Sequence, residues 1–198
     1  LAEMSSKKGV KVVLSGEGAD EVFGGYVRYL PLYAKWELNK KFKSYKFLFD
    51  KFFPDFVEGY SNLTMRNNNN KFVKKIISPF FDEFEDPINA MGYFDFKIIL
   101  PSLLQMGDRM SSAFGIENRC PFLDKRIIEF GFSLPPSYKI RGLEQKYMLR
   151  RIAAKRGLAS ALDMEKKGLI VVFNKWMKKE DWNRSDYFKF LKKSSITV

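Results

Sequence analysis

Residues 12–26 read VVLSGEGADEVFGGY, and they divide into three parts. Val10, Val12, Val13 and Leu14 form a short, mostly β-branched run between Gly9 and Gly16, the pattern of a buried parallel strand. A glycine-spaced acidic loop follows, and then a helical pattern carrying Gly24 and Gly25. In open parallel sheets ligands bind outside the carboxyl ends of the strands, commonly with a phosphate near the next helix N-terminus. Ser15 and Gly16 stand there, a hydroxyl and approachable backbone amides that suit a nucleotide. Glu17, Asp20 and Glu21 would repel bare phosphate unless a cation lay between, a task suited to Mg²⁺. The plainer alternative is that Asp20 caps the helix while Gly16 and Gly18 make the turn. Spacing alone leaves both open.

Outward from this loop the periodicity turns helical. Residues 21–38 predict a helix broken at Pro31, and Phe42, Tyr45, Phe49, Phe52, Phe53 and Phe56 recur at helical spacing as a core stripe. The polar, asparagine-rich residues 61–70 predict a loop, and in KFVKKIISPFF, residues 71–81, Pro79 predicts a break. Residues 86–100 predict a long helix, and Pro101 opens the next, with Leu103, Leu104, Gly107, Met110 and Phe114 on its inner face and Gly115 as its stop. PFLD, residues 121–124, starts a helix through Phe132, and residues 145–155 predict one more, closed by Gly157. One strand cannot make a sheet. The chain therefore reads as α/β, a mostly helical piece of a larger domain with one parallel strand, and residues 163–198 as a mixed, variable tail.

At 198 residues and 45% hydrophobic, the chain can bury one sizeable core. No run of eighteen apolar residues occurs and the start, LAEMSSKKG, has no apolar signal region, so the expectation is a soluble, cytoplasmic protein with no membrane partner. A single cysteine, Cys120, and the absence of histidine exclude an internal disulfide, an ordinary zinc cluster and histidine-activated nucleophiles. Chemistry is left to carboxylates, lysines, arginines, hydroxyls and backbone amides. The net charge of +12 suggests anionic partners. Lysine and asparagine are used throughout, however, and no nucleic-acid-binding motif occurs, so no nucleic-acid partner is expected.

Two further groupings bear on the loop. In QKYMLRR, Lys146 and Arg150 lie four apart on one predicted helical face, a like-charge pair costing ~0.2–0.5 kcal/mol unless an anion sits between them. A solvated basic face explains them equally. In MGDRMSSAFGIENRCPFLD, Asp108, Arg109, Glu117 and Arg119 stand among apolar residues and read as an internal ion-pair network.

Taken together, SGEGADEVFGGY, DRMSSAFGIENRCPFLD and LPPSYKIRG followed by QKYMLRR resemble the synthetase domain of glutamine-hydrolysing asparagine synthetases. The resemblance spans residues 10–151 and implies an adenine-nucleotide-hydrolase-like (ATP-pyrophosphatase) α/β fold. It implies that ATP and Mg²⁺ activate the aspartate side-chain carboxylate as an acyl-adenylate, and that ammonia from glutamine displaces AMP. On matching positions, Ser15 and Gly16 would contact the nucleotide, and Glu17 would support the intermediate and take a proton from ammonia. Asp20 would help hold Mg²⁺, and Lys146 would neutralise charge building on pyrophosphate. Asp108, Arg109, Glu117 and Arg119 would be architectural.

Departures from the family pattern set further expectations. The phosphate loop, serine-glycine-glycine-x-aspartate-serine, and the N-terminal cysteine of a glutaminase do not occur. In KKGLIVVFNKWM, Leu169 and Val172 replace an aromatic residue and a proline. The chain is thus expected to be a C-terminal segment, inactive alone, whose partners are the glutaminase and phosphate-loop segments. Relatives that make β-lactams or cyclise peptides, and a non-catalytic helical interaction module, remain alternatives. An unpaired strand edge would favour a homodimer.

Overall fold

The computed structural model describes residues 1–42, 55–64, 70–158 and 160. Tyr45, Phe49, Phe52 and Phe53 of the aromatic stripe, and the tail 163–198, lie outside them.

Helix α1 (Ala2–Lys7) leads into β1 (Val12–Leu14), whose parallel partner is β2 (Glu117–Arg119). Val12 lies opposite Glu117, Val13 opposite Asn118 and Leu14 opposite Arg119. The ladder runs past both ends, Glu117 N donating to Lys11 O and Ser15 N to Arg119 O, each at 2.9 Å. The expectation of one strand is corrected: Glu117-Asn118-Arg119 has none of the residues that favour strands, and backbone pairing alone defines it. Nor is β1 buried, since Val12 is 38% and Leu14 73% exposed. Among the described residues only one flank of β1 is paired.

The helix expected over 21–38 is divided at its glycines, not at Pro31. Helix α2 (Ala19–Phe23) ends at Gly24 in the left-handed conformation, and a 3-10 turn (Val27–Tyr29) precedes α3 (Leu30–Lys41). Pro31 opens α3, where its missing N–H costs no helical bond. Helix α4 (Phe56–Thr64) takes in residues 61–64 of the expected loop, with Ser61 buried. Helix α5 (Asn70–Glu83) continues through Pro79, because Pro79 and Lys75, whose carbonyl it leaves without a donor, are on the exposed side where water can serve.

Asp86 caps α6 (Pro87–Phe94), accepting from Asn89 N at 2.8 Å. A widened π turn (Asp95–Ile99) then leads without a break into α7 (Leu100–Ser112). The widening precedes Pro101, whose ring and missing N–H disturb the regular ladder. The supposed inner face of α7 is corrected as well: Leu103, Met110 and Phe114 are exposed, as is Met106 beside them. After a 3-10 turn (Pro121–Leu123), α8 (Lys125–Ser133) is capped by Asp124, and α9 (Pro136–Lys139) follows. Strands β3 (Ile140–Arg141) and β4 (Glu144–Gln145) pair antiparallel before α10 (Tyr147–Lys155). Among the described residues no helix is long and apolar enough to cross a membrane.

The core gathers Tyr29, Leu32, Tyr33, Tyr60, Ile77, Ile88, Met91, Phe94 and Ile140, with Phe56 packed against it and Phe42 left exposed. Helix α2 is tightly enclosed. A Cβ on Gly92 of α6 would lie 2.4 Å from Glu21 O, and one on Gly131 of α8 would lie 2.1 Å from Val22 Cγ1. Glycine at both positions is what lets the neighbouring helices close on it.

A wholly buried carboxylate, Asp95, joins these layers. It accepts from Arg28 Nη2 at 2.6 Å and from the hydroxyls of Tyr29 and Tyr60. Burial is the largest single influence on the Arg28 guanidinium and works against its proton, but the Asp95 charge, Tyr29, Tyr60 and the hydrogen bond to Asp95 together outweigh it and hold its pKa above the ordinary value. Burial, reinforced by Asp95, pushes the Tyr29 hydroxyl well above its usual value and keeps it a donor. Asp95→Ala should therefore cost about 3–5 kcal/mol in urea unfolding, because it strands a partly buried cation and two fully buried hydroxyls. Asp95→Asn, which keeps acceptor oxygen for the hydroxyls, should cost less.

Lys139 is buried more unusually. Its amine donates to Asn89 Oδ1 and lies 4.9 Å from the Phe132 ring centroid. Desolvation lowers its pKa from 10.5 to about 7, against the opposing pull of Asp86. Below that range the amine is protonated folded and unfolded, and the full cost of burying the charge applies. Between about 7 and 10.5 the unfolded chain keeps the proton while the folded chain does not, so stability rises with pH. Urea midpoints at pH 7 and pH 9.5 should differ more for the wild type than for Lys139→Met, which lacks this titration.

Candidate active site

The parallel register builds the site. Ser15 follows β1 directly and Cys120 follows β2 directly, so extending the ladder by one residue sets them side by side, Ser15 Oγ 3.2 Å from Cys120 Sγ. Cys120 Sγ in turn lies 4.0 Å from Glu17 Oε2, at the limit of a thiol hydrogen bond. Glu17 Oε1 lies against Gly107 of α7: a Cβ there would sit 3.3 Å from it and 3.5 Å from Asn118 Nδ2. Ser15, Gly16 and Glu17 thus line the loop where β1 ends, with Cys120, Asn118 and Gly107 as their wall.

Asp20, in α2, meets Lys146 in an ion pair. Lys146 Nζ lies 3.1 Å from Asp20 Oδ1, although the residues are far apart in sequence. Asp20 makes no side-chain cap, since Gly18 in the left-handed conformation is the N-cap of α2. Lys146 is not within a helix either. It is the N-cap of α10 with φ 52°, the only non-glycine residue with positive φ among the described residues. Gln145 belongs to β4, and Arg150 turns back to donate from Nε to Gln145 O at 3.0 Å. The expected two-cation helical face of Lys146 and Arg150 is therefore corrected to one lysine at the turn and one arginine bracing it.

The acids of the opening loop take different roles. Glu21 is 2% exposed and accepts from the Tyr26 hydroxyl at 2.5 Å. Burial pushes its carboxyl pKa up despite that hydrogen bond. Tyr26 also carries the Arg28 guanidinium over its ring at 3.8 Å, tying the loop to the Asp95 cluster. Glu21 is thus an anchor facing inward, while Asp20 stays partly open.

Among the described residues the ion-pair network expected around α7 does not form. Asp108 and Arg109 are exposed, and Glu117 pairs with Arg119 at 2.8 Å on the exposed side of β2. Neither residue of that pair is desolvated, so the cost that required an internal network is absent. Asn118, Cys120 and Gly107 were missed as site residues. For Cys120, the signal lay in its position after a strand that the sequence does not reveal.

Among the described residues no group of three or more metal-ligating side chains occurs. Mg²⁺ typically uses one or two protein carboxylates with phosphate oxygens and water, and Asp20 suits that habit. The Asn118 Oδ1 atom, buried and without a hydrogen-bond donor among the described residues, leaves the wall able to receive a ligand donor. The donor set fits a metal-bound nucleotide.

Lys146 is also a test of backbone cost. A left-handed conformation is expensive for a residue with a Cβ and free for glycine. Lys146→Gly should be more stable than Lys146→Ala by about 1 kcal/mol in urea unfolding, though both lose the ion pair equally.

Residues 1–186 match the asparagine synthase family model. The chain is 28% identical to glutamine-hydrolyzing asparagine synthetase 1 of Bacillus subtilis (strain 168), over 91% of its own length and 34% of the relative's. It is 29% identical to a putative glutamine-hydrolyzing asparagine synthetase of Mycobacterium bovis, over 87% of the chain and 31% of the relative. With glutamine-hydrolyzing asparagine synthetase 1 of Arabidopsis thaliana it shares 32% identity over 72% of the chain and 17% of the relative. No solved structure matches. The chain spans about a third of the length of the first two of these relatives. On this match over residues 1–186, the chain belongs to the asparagine synthase family.

Proposed function

We propose that the chain forms the carboxyl-terminal wall of an ATP-dependent, amide-forming active site. In that site the aspartate side-chain carboxylate would be adenylated and then attacked by ammonia derived from glutamine, giving asparagine, AMP and pyrophosphate. The carrying observation is that Ser15 and Glu17 gather on Cys120 at the carboxyl end of β1, and that Asp20, in the helix that follows, pairs with Lys146. An ATP-pyrophosphatase type of α/β fold is part of this reading, supported by the parallel pairing and the position of the loop.

Each side chain has a task that its chemistry supports. Ser15 Oγ and the Gly16 backbone would bind phosphate oxygens at the strand end. Asp20 would hold Mg²⁺, which supplies charge neutralisation for the phosphate chain when bound. Lys146 would place a fixed cation where negative charge grows on the departing pyrophosphate. Glu17, braced by Cys120 and Gly107, would accept a proton from the attacking nitrogen. Glu21 would touch no substrate and would hold the loop through Tyr26.

The rest of the cradle would come from the phosphate-loop and glutaminase segments of a larger enzyme. The unpaired flank of β1 and the exposed stripe of Leu103, Met106, Met110 and Phe114 support this, as apolar surface suited to cover by another layer. The chain alone should accordingly show no ATP–pyrophosphate exchange with aspartate.

Cys120 gives a direct test of nucleotide binding, since it is the only thiol and lies beside Ser15 and Glu17. ATP with Mg²⁺ should slow alkylation of Cys120 by a maleimide severalfold, and Ser15→Ala should weaken that protection. An alkylation rate indifferent to nucleotide in both the isolated chain and the chain joined to its upstream segments would refute the assignment.

A further inference from the structure

Gly107 stands where glycine weakens the chain. It lies in the interior of α7 and its φ is not positive, so the backbone there suits any ordinary helical residue. Alanine would favour the helix more. Gly92 of α6 and Gly131 of α8 offset the same weakness through packing, one against the Glu21 carbonyl and the other against Val22. At Gly107 no backbone or apolar side chain of another element comes as near, among the described residues. The atoms nearest the place its Cβ would take are polar ones of the candidate site: Glu17 Oε1 at 3.3 Å, Asn118 Nδ2 at 3.5 Å and Glu17 Oε2 at 3.8 Å. Cys120 Sγ reaches the same carboxylate at Oε2, 4.0 Å away. Oε2 thus neighbours a thiol, and Oε1 is the oxygen nearer the space over Gly107.

We propose that Gly107 is a positioning residue for the amide-forming half of the reaction, its missing side chain leaving Glu17 Oε1 uncovered where the incoming nitrogen gives up a proton. The inference rests on the reading of Glu17 given above and adds to it a residue that touches no substrate. In that half the C–N bond forms at the acyl carbon. The C–O bond to AMP breaks, its electron pair leaving on the phosphate oxygen, and one N–H proton passes to Oε1. Nitrogen and proton acceptor must come within about 2.6–3.2 Å of each other. A methyl group on residue 107 would stand 3.3 Å from Oε1. It would take part of the surface that the nitrogen has to approach and press the carboxylate toward Cys120. Adenylation requires no proton transfer to Oε1, so the two halves of the reaction should respond unequally.

The test uses the chain joined to its upstream segments, with aspartate, ATP and Mg²⁺, and with ammonium as the nitrogen source. Two rates are read for each variant, ATP–pyrophosphate exchange for adenylation and asparagine formation for the whole reaction. Gly107→Ala should lower asparagine formation about tenfold relative to exchange. In a Glu17→Gln background it should cost nothing further, because a carboxamide takes no proton and no base is left to cover. In urea, Gly107→Ala should unfold at or above the wild-type midpoint. The same tenfold loss in the Glu17→Gln background would overturn the inference. So would equal losses of exchange and synthesis, or no loss in an enzyme whose synthesis depends on Glu17. Each of these leaves the amide-forming reading standing. Absence of exchange from the joined wild type, or full synthesis by Glu17→Gln, would overturn the reading and the inference together. If Gly107→Ala unfolds below the wild-type midpoint, the comparison is repeated in a Cys120→Ala background, which gives the carboxylate room on its Oε2 side, and the same outcomes decide.

Discussion

Asp95 carries a carboxylate where no water reaches, and several layers of the molecule are arranged to meet it. Arg28 and Tyr29 come from the turn after the site loop, Tyr60 from α4, and Asp95 itself from the widened turn between α6 and α7. A buried carboxylate with three donors is tolerable, and with fewer it is costly. That asymmetry makes the cluster an all-or-none joint. Through Arg28 over the Tyr26 ring, and Tyr26 to Glu21, the joint reaches the helix that presents Asp20. The candidate site is therefore braced through α2 by residues that lie outside it.

The second constraint is the parallel register of β1 and β2. A parallel pair aligns the two chains in the same direction, so whatever follows one strand lies beside whatever follows the other. Here that rule sets Cys120 beside Ser15 and brings Asn118 within reach of Glu17. Slipping the register by one residue would reverse which side chains of β2 face the cradle, replacing Asn118 with the Glu117–Arg119 pair.

Much of this was legible in the sequence, and the illegible parts have physical causes. β1 and the loop after it were readable because β-branched residues and glycines carry strong local signals. The glycine stop of α7 and the capped start of α8 were readable for the same reason. β2 was not, because its three polar residues have no strand propensity and are strands only by virtue of β1. The proline breaks at Pro31 and Pro79 were misplaced: a proline at a helix start or on a wet helical face does little harm, whereas Gly24 and Gly25 do end a helix. The role of Lys146 was suggested by its motif, but its ion pair with Asp20 and its left-handed backbone depend on β3 and β4 turning back, a tertiary event with no sequence periodicity. On spacing alone Glu21 stands with Glu17 and Asp20, and its burial against Tyr26 sets it apart as an inward anchor.

The buried amine of Lys139 has a consequence for the thermodynamics of folding itself. The formal charge of +12 counts every lysine as an ammonium, but with a pKa of about 7 the folded chain has already surrendered part of that charge at neutral pH. Folding is then a proton-releasing reaction in mildly basic solution, and unfolding takes a proton from the buffer. The enthalpy measured for unfolding will include the ionisation heat of whichever buffer gives that proton. Two calorimetric traces of the same chain at the same pH, in phosphate and in Tris, will therefore differ in heat while the contacts broken are the same.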